Sequence, residues 1–148
     1  MLLDLRKLKR TGKDSQDFYF EYFPESNLAE DLPGAELELP IKIFGTITLT
    51  GEHSAFVEGE IDFTLKGECT RCLDNAINQY DAEFGEEITE DNDAGYSVVN
   101  DMVNLTKIVE DAVLMRLPVT FLCKEDCTGL CVKCGQNLHV AECECKKQ

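Results

Sequence analysis

The chain has 148 residues, 43% of them hydrophobic, enough for one packed domain with a small appendage. It carries 14 basic against 29 acidic residues, a formal charge of −15, so its surface as a whole repels phosphate backbones and broad nucleic-acid binding is excluded. No run approaches the roughly 18 apolar residues of a membrane span, and the opening residues, interrupted by Asp4, do not read as a secretion signal; a cytoplasmic protein with reduced thiols is expected.

The charge is uneven. Arg6, Lys7, Lys9, Arg10 and Lys13 crowd the first residues against Asp4 alone, which leaves every excess acid in the remainder of the chain. This arm reads as a solvated charged strand or tail, and a contact of Arg6, Lys7, Lys9 and Arg10 with RNA or another partner is the competing use. Residues 17–23 hold Phe18, Tyr19, Phe20, Tyr22 and Phe23. They read as a strand whose rings serve packing rather than base stacking. Residues 27–34 form a connection punctuated by Pro33-Gly34.

From Leu37 the pattern has period 2. Leu37, Leu39, Ile41, Ile43, Ile47 and Leu49 share one parity, while Glu36, Glu38, Lys42, Thr46, Thr48 and Thr50 share the other. That is a strand with one buried and one wet face, with Gly45 as a bulge or bend. Gly51-Glu52-His53-Ser54 turns the chain, and Val57, Ile61, Phe63 and Leu65 alternate with acids and Thr64 on the way back, completing a long antiparallel hairpin. A third strand is expected over residues 77–84, with Tyr80, Ala82 and Phe84 on one side. Residues 85–100, with Glu86, Glu87, Glu90, Asp91 and Asp93, read as an acidic mobile loop. A helix follows: Asn104 caps it, Leu105, Ile108, Val109, Ala112 and Val113 make its apolar stripe, and Pro118 ends it. The expected fold class is α+β, an antiparallel sheet packed by one main helix over residues 1–122, with a C-terminal Cys-rich zinc-binding segment over residues 123–148 packed on it.

The cysteines carry the chemistry. Their spacing is Cys69-x2-Cys72, then Cys123-x3-Cys127-x3-Cys131-x2-Cys134-x8-Cys143-x-Cys145. A Cys-x2-Cys turn brings two thiolates to one Zn²⁺, and four thiolates close a tetrahedron. Eight cysteines therefore divide into two sites, two Zn²⁺ per chain. Cys131, Cys134, Cys143 and Cys145 form the local one. Cys69 and Cys72 need a second pair, which Cys123 and Cys127 can supply from just beyond the helix, stapling helix to sheet. A site of Cys123, Cys127, Cys131 and Cys134 is the alternative. Cys69, in phase with the buried face, also suits a core cysteine, and Cys-x2-Cys also occurs as a redox dithiol, though before a helix. His139 lies between Cys134 and Cys143 and can replace a sulfur, while His53 reads as solvated. Arg71, inside the first cysteine pair, suits a hydrogen bond to a thiolate or a backbone carbonyl, or a partner contact. No nucleophile–base pattern or phosphate loop is present, and closed four-thiolate sites point away from hydrolysis.

Gly67-Glu68-Cys69-Thr70-Arg71-Cys72-Leu73 resembles the Cys-x-Arg-Cys-Leu element of the bacterial YceD family, the large ribosomal RNA subunit accumulation proteins. Leu117-Pro118 leading to the run from Cys123 to Leu138 resembles that family's C-terminal signature, and Cys143-Glu144-Cys145 its close; His139 departs from the Asn expected there. The resemblance implies a role in large-subunit ribosomal RNA accumulation, through ribosome assembly or RNA processing, without catalysis. The acidic body favours a basic ribosomal protein as partner, with ribosomal RNA the other candidate; no membrane and no small-molecule substrate are expected. Two further readings compete: a thiol/zinc redox-sensitive regulatory protein, and an RNA-processing enzyme with an open metal position.

Overall fold

The computed structural model describes residues 1–91 and 95–147. The chain runs through β1 (Leu2–Asp4), α1 (Leu5–Thr11), β2 (Ser15–Tyr22), β3 (Ala35–Gly51), β4 (Ser54–Glu68), β5 (Asn75–Ile88), β6 (Val98–Val99), β7 (Met102–Asn104) and α2 (Thr106–Arg116), and ends in a 3-10 turn, Glu144–Lys147. Four long strands form one antiparallel sheet in the order β2-β3-β4-β5, and the short strands form a second in the order β1-β7-β6. No helix among the described residues is long and apolar enough to cross a membrane.

The period-2 pattern sets the main sheet. Ile41, Ile43 and Ile47 of β3 and Val57, Ile61, Phe63 and Leu65 of β4 are buried on one face, joined by Phe18 of β2 and by Ala82 and Ile88 of β5. Leu39 departs from the pattern. It is 45% exposed, because the β3–β4 register shifts between Glu38 and Lys42 around Pro40, which has no amide to give the ladder. The irregularity expected at Gly45 is absent: Gly45 pairs in register with Phe18 on one side and Gly59 on the other. Its role is close approach. A Cβ there would stand 2.1 Å from the Glu58 carbonyl oxygen and 2.9 Å from the Phe18 ring, and a Cβ on Gly59 would stand 2.9 Å from the Phe84 ring. Two aromatic rings thus close over a pair of glycines in the middle of the sheet.

The third strand is longer than its apolar signal. β5 runs through Gly85, Glu86 and Glu87 to Ile88, which pairs with Ala55 and is fully buried. The segment expected as an acidic loop therefore opens as strand through Ile88 and closes as strand at β6, with Thr89 meeting Ser97 in a bridge between them. Pairing with β4 supplies the order that local composition does not: Glu87 lies on the exposed face of β5, while Glu86, opposite Val57, is half-buried on the other. Asp93 lies outside the described residues.

Helix α2 lies over the apolar face. Ile108, Val109 and Val113 are buried, as is Leu105 just before the helix. The Tyr22 hydroxyl of β2 donates to Glu110 at 2.5 Å, and Arg116 Nε donates to the Asp81 carbonyl of β5 at 2.9 Å, so the helix is tied to both edge strands. Asn104 accepts from the Thr106 amide at 3.0 Å, one position before the helix entry at Leu105. The extended Leu117 before Pro118 ends the helix. The basic arm is not a tail. Asp4 caps α1 by accepting from the Arg6 amide, and Leu5 and Leu8 are buried.

Gly45→Ala is expected to destabilise the chain by about 2–4 kcal/mol, since the β4 backbone at Glu58 and Gly59 and the Phe18 ring must all move. Gly85→Ala, whose added Cβ meets nothing nearer than 3.4 Å, is expected to stay within about 1 kcal/mol. Thermal unfolding of the two variants checks the difference; equal losses would refute the close-approach role.

Candidate metal centre

Cys69 follows the last residue of β4, where the chain turns back on itself. The Leu73 amide donates to the Cys69 carbonyl at 2.9 Å and the Cys69 amide to the Asp74 carbonyl at 2.9 Å, a knuckle that faces Cys69 and Cys72 the same way. The segment after α2 is brought to this knuckle by Phe121. Its side chain is fully buried in the main core, while its carbonyl accepts from the Thr70 amide at 3.0 Å and the Thr70 hydroxyl at 3.2 Å. Asn78 Nδ2 donates to the Leu122 carbonyl at 2.7 Å. These bonds set Cys123, and with it Cys127, against the knuckle.

The sulfurs of Cys69, Cys72, Cys123 and Cys127 all lie within 4.8 Å of one another. Cys69 Sγ is 3.6 Å from Cys127 Sγ, and Cys72 Sγ is 3.6 Å from Cys123 Sγ. A disulfide needs a separation near ~2.05 Å. A tetrahedron with Zn–S arms of ~2.3 Å has edges of about 3.8 Å. The spacing fits a metal tetrad and not a disulfide pair. Cys69, Cys72 and Cys127 are buried, so the cluster is nearly dry.

The second group comes from the C-terminal segment. The Cys131 amide donates to the Gln136 carbonyl and the Gly135 amide to the Cys131 carbonyl, both at 2.8 Å, with Gly135 at φ +73°. That positive φ is where glycine is at home. The chain then returns so that Cys131, Cys134, Cys143 and Cys145 hold their sulfurs within the same 4.8 Å. Here Cys134 is exposed and the others are half-buried. Both groups match the expected pairing, and the grouping of Cys123 and Cys127 with Cys131 and Cys134 does not occur. Among the described residues, no other cluster of three or more His, Cys, Asp or Glu forms a ligand set.

The thiols within each group titrate against one another. Burial works to raise Cys69, but the amides of Cys123, Cys72 and Arg71 directed at its sulfur bring it down to about 6. The Asp74 amide works to lower Cys72, yet burial and the three neighbouring sulfurs push it up to about 12. Burial also raises Cys123. In the other group the Cys134 and Lys133 amides lower Cys131 to about 6, while its contact with Cys131 raises Cys143, and contact with Cys134 pushes Cys145 up to about 11. In each group one thiol ionises early, and the two raised thiols, Cys72 and Cys123 in one and Cys143 and Cys145 in the other, resist a second negative charge.

Arg71 takes the carbonyl role: its Nη1 donates to the Cys127 carbonyl at 3.0 Å. His139 is not in the C-terminal ligand set. Its Nε2 lies 3.1 Å from Cys127 Sγ, against the first group. His53 Nδ1 stands 3.6 Å from both Glu90 and Asp101, half-exposed at the hairpin turn. In the arm, Arg6 pairs with Asp4 at 3.0 Å and Lys9 with Asp101 at 2.7 Å, while Lys7 and Arg10 are exposed on α1. The positioning roles of Thr70, Asn78 and Phe121 have no sequence signal, because each acts through a backbone group more than 40 residues away. The first cysteine pair leads into a strand, β5, rather than into the helix that a thioredoxin-like dithiol precedes.

A family model described as large ribosomal RNA subunit accumulation protein YceD matches residues 57–148. Among curated proteins, an uncharacterized protein of Mycobacterium tuberculosis is 30% identical over 112 residues, which cover 69% of this chain and 51% of that protein. An uncharacterized protein of Mycobacterium leprae is 27% identical over 116 residues, covering 72% of this chain and 51% of that protein. The Arabidopsis thaliana large ribosomal RNA subunit accumulation protein YCED homolog 1, chloroplastic, is 33% identical over 46 residues, covering 31% of this chain and 14% of that protein. The matched region spans about half the length of the mycobacterial relatives, and no solved structure matches. The match takes in the hairpin's second strand, both cysteine groups and everything between them; the chain belongs to the YceD family of large ribosomal RNA subunit accumulation proteins.

Proposed function

We propose that this chain is a non-catalytic, cytoplasmic zinc protein that acts in large-subunit ribosomal RNA accumulation or ribosome assembly. It holds one Zn²⁺ through Cys69, Cys72, Cys123 and Cys127 and a second through Cys131, Cys134, Cys143 and Cys145. The carrying observation is the pair of four-sulfur groups, each gathered within 4.8 Å, with sulfur pairs 3.6 Å apart in the first. Zinc there supplies cross-linking rather than chemistry at a substrate, since four thiolates fill its coordination. The first ion joins the sheet-and-helix body, residues 1–122, to the Cys-rich segment, residues 123–148. Structural zinc of this kind contributes ~10 kcal/mol or more in apparent binding energy. The ribosomal role rests on the family.

A basic ribosomal protein is the partner the charge favours. Eight thiolates with two Zn²⁺ take the formal −15 to about −19, and opposite fields speed encounter. Direct contact with ribosomal RNA would fall to the arm, where Arg6 and Lys9 are already ion-paired.

Elemental analysis of the chain purified under reducing conditions is expected to find two Zn²⁺, and one in Cys69→Ser/Cys72→Ser. In cells lacking the protein, the wild-type chain should restore the ratio of large- to small-subunit ribosomal RNA and this variant should not. A normal ratio without the protein would overturn the ribosomal role.

Metal binding is expected to tighten with pH. Cys72 and Cys123 in one group, and Cys143 and Cys145 in the other, are raised and hence protonated near neutrality, and Zn²⁺ takes thiolates. Filling each group then releases at least two protons, and apparent affinity climbs about a hundredfold per pH unit. Zinc titrations between about pH 6.5 and about pH 7.5, above the lowered thiols and below the raised ones, read that slope.

If RNA is touched directly, replacing Arg6, Lys7, Lys9 and Arg10 with Gln weakens binding and flattens its salt dependence. RNA binding unchanged by that replacement rules out the arm as the contact.

A further inference from the structure

Residues 135–142, which separate Cys134 from Cys143, do not stay with their own group. They fold back onto the first one. The Leu138 amide donates to the Gly129 carbonyl at 3.0 Å, and Asn137 pairs with Leu130 in an antiparallel bridge. The Leu130 amide in turn donates to the Arg71 carbonyl at 3.1 Å, inside the first knuckle. Asn137 Nδ2 donates to Asp74 Oδ2 at 2.8 Å, and Asn137 Oδ1 accepts from the His139 amide at 3.0 Å. Gly129 permits this layering: at φ +72°, its added Cβ would stand 3.0 Å from the Arg71 carbonyl oxygen. At the end of the chain of contacts, His139 Nε2 reaches Cys127 Sγ at 3.1 Å, with the Thr128 amide donating to the same nitrogen at 3.2 Å.

We infer that the two cysteine groups are coupled metal sites, with His139 as the positioning residue that carries the coupling, through an outer-sphere hydrogen bond to Cys127. This rests on the zinc reading above. A metal-bound Cys127 is a thiolate and accepts only, so the ring meets it through the Nε2 proton; the contact from the Thr128 amide to that nitrogen then gives way, and Nδ1 is left to accept from the Thr128 hydroxyl 3.5 Å away. That bond withdraws charge from the sulfur and holds its direction. His139 is in place only when its loop is closed. Both ends of the loop are cysteine pairs of the second group, so a metal there ties the ends and removes the loop's freedom in advance. Filling the second group therefore tightens the first, and by linkage filling the first tightens the second by the same factor.

The test uses the full chain loaded with two Zn²⁺ and a chromophoric chelator that reads zinc release. Release from the first group is expected to be about tenfold faster in His139→Phe, and near the wild-type rate in His139→Gln, which keeps an N–H donor. Cys143→Ser/Cys145→Ser empties the second group and should speed release from the first by a similar factor. Adding His139→Phe to that variant should change little further, because the same contact is already lost. With ¹¹³Cd in place of zinc, His139→Phe should shift the resonance lost in Cys69→Ser/Cys72→Ser and leave the other in place. Unchanged release in His139→Phe, or effects that simply add in the combined variant, overturns the coupling while leaving two zinc sites standing. A wild-type chain that binds no zinc overturns the metal reading, and the coupling with it.

Discussion

Four sulfurs within 4.8 Å cannot all carry a negative charge in a dry cluster, and the cysteine-rich end of this protein is organised around that constraint. The first group shows it directly: amides stabilise one thiolate at Cys69, and the cost appears at Cys72, pushed up to about 12. A divalent cation relieves the repulsion and asks for the same tetrahedral spacing. The hydrogen bonds from Thr70 and Asn78 to the Phe121–Leu122 backbone therefore do more than pack a loop. They bring a pair of sulfurs from beyond the helix to a pair at the end of the hairpin, against their mutual repulsion.

The sheet supplies the rigidity for this. β3 and β4 are long, and their mid-sheet glycine pair lets Phe18 and Phe84 lie close over the backbone. α2 is held across the same face from Tyr22 at one edge to Asp81 at the other. Its exit is thereby fixed relative to the end of β4, and the distance from Cys72 to Cys123 becomes a property of the scaffold rather than of a flexible tail. The second group has no such frame. It is built on short-range turns, is more exposed, and leans on the first through Asn137 and His139.

The charge distribution has its own logic. Two of the acids that composition places in a loop, Glu86 and Glu87, are held by the paired strand β5, so their positions are fixed. The basic arm is folded as a capped helix with two of its cations neutralised by Asp4 and Asp101.

The sequence by itself determined the elements whose signals are local. Alternation from Leu37 to Leu65 specified the hairpin, the stripe from Leu105 to Val113 specified α2, and cysteine spacing narrowed the eight sulfurs to two groupings, between which the fold chose. The tertiary structure decided what depends on distant partners. Residues 85–88 are a strand because β4 pairs with them, Leu39 turns outward because the register slips at Pro40, and Gly45 is a close-approach residue because another glycine faces it. His139 belongs to Cys127 rather than to the cysteines that flank it, because its loop docks on the first knuckle. Periodicity and spacing report what a residue shares with its neighbours along the chain; hydrogen bonds across more than 40 residues leave no such trace.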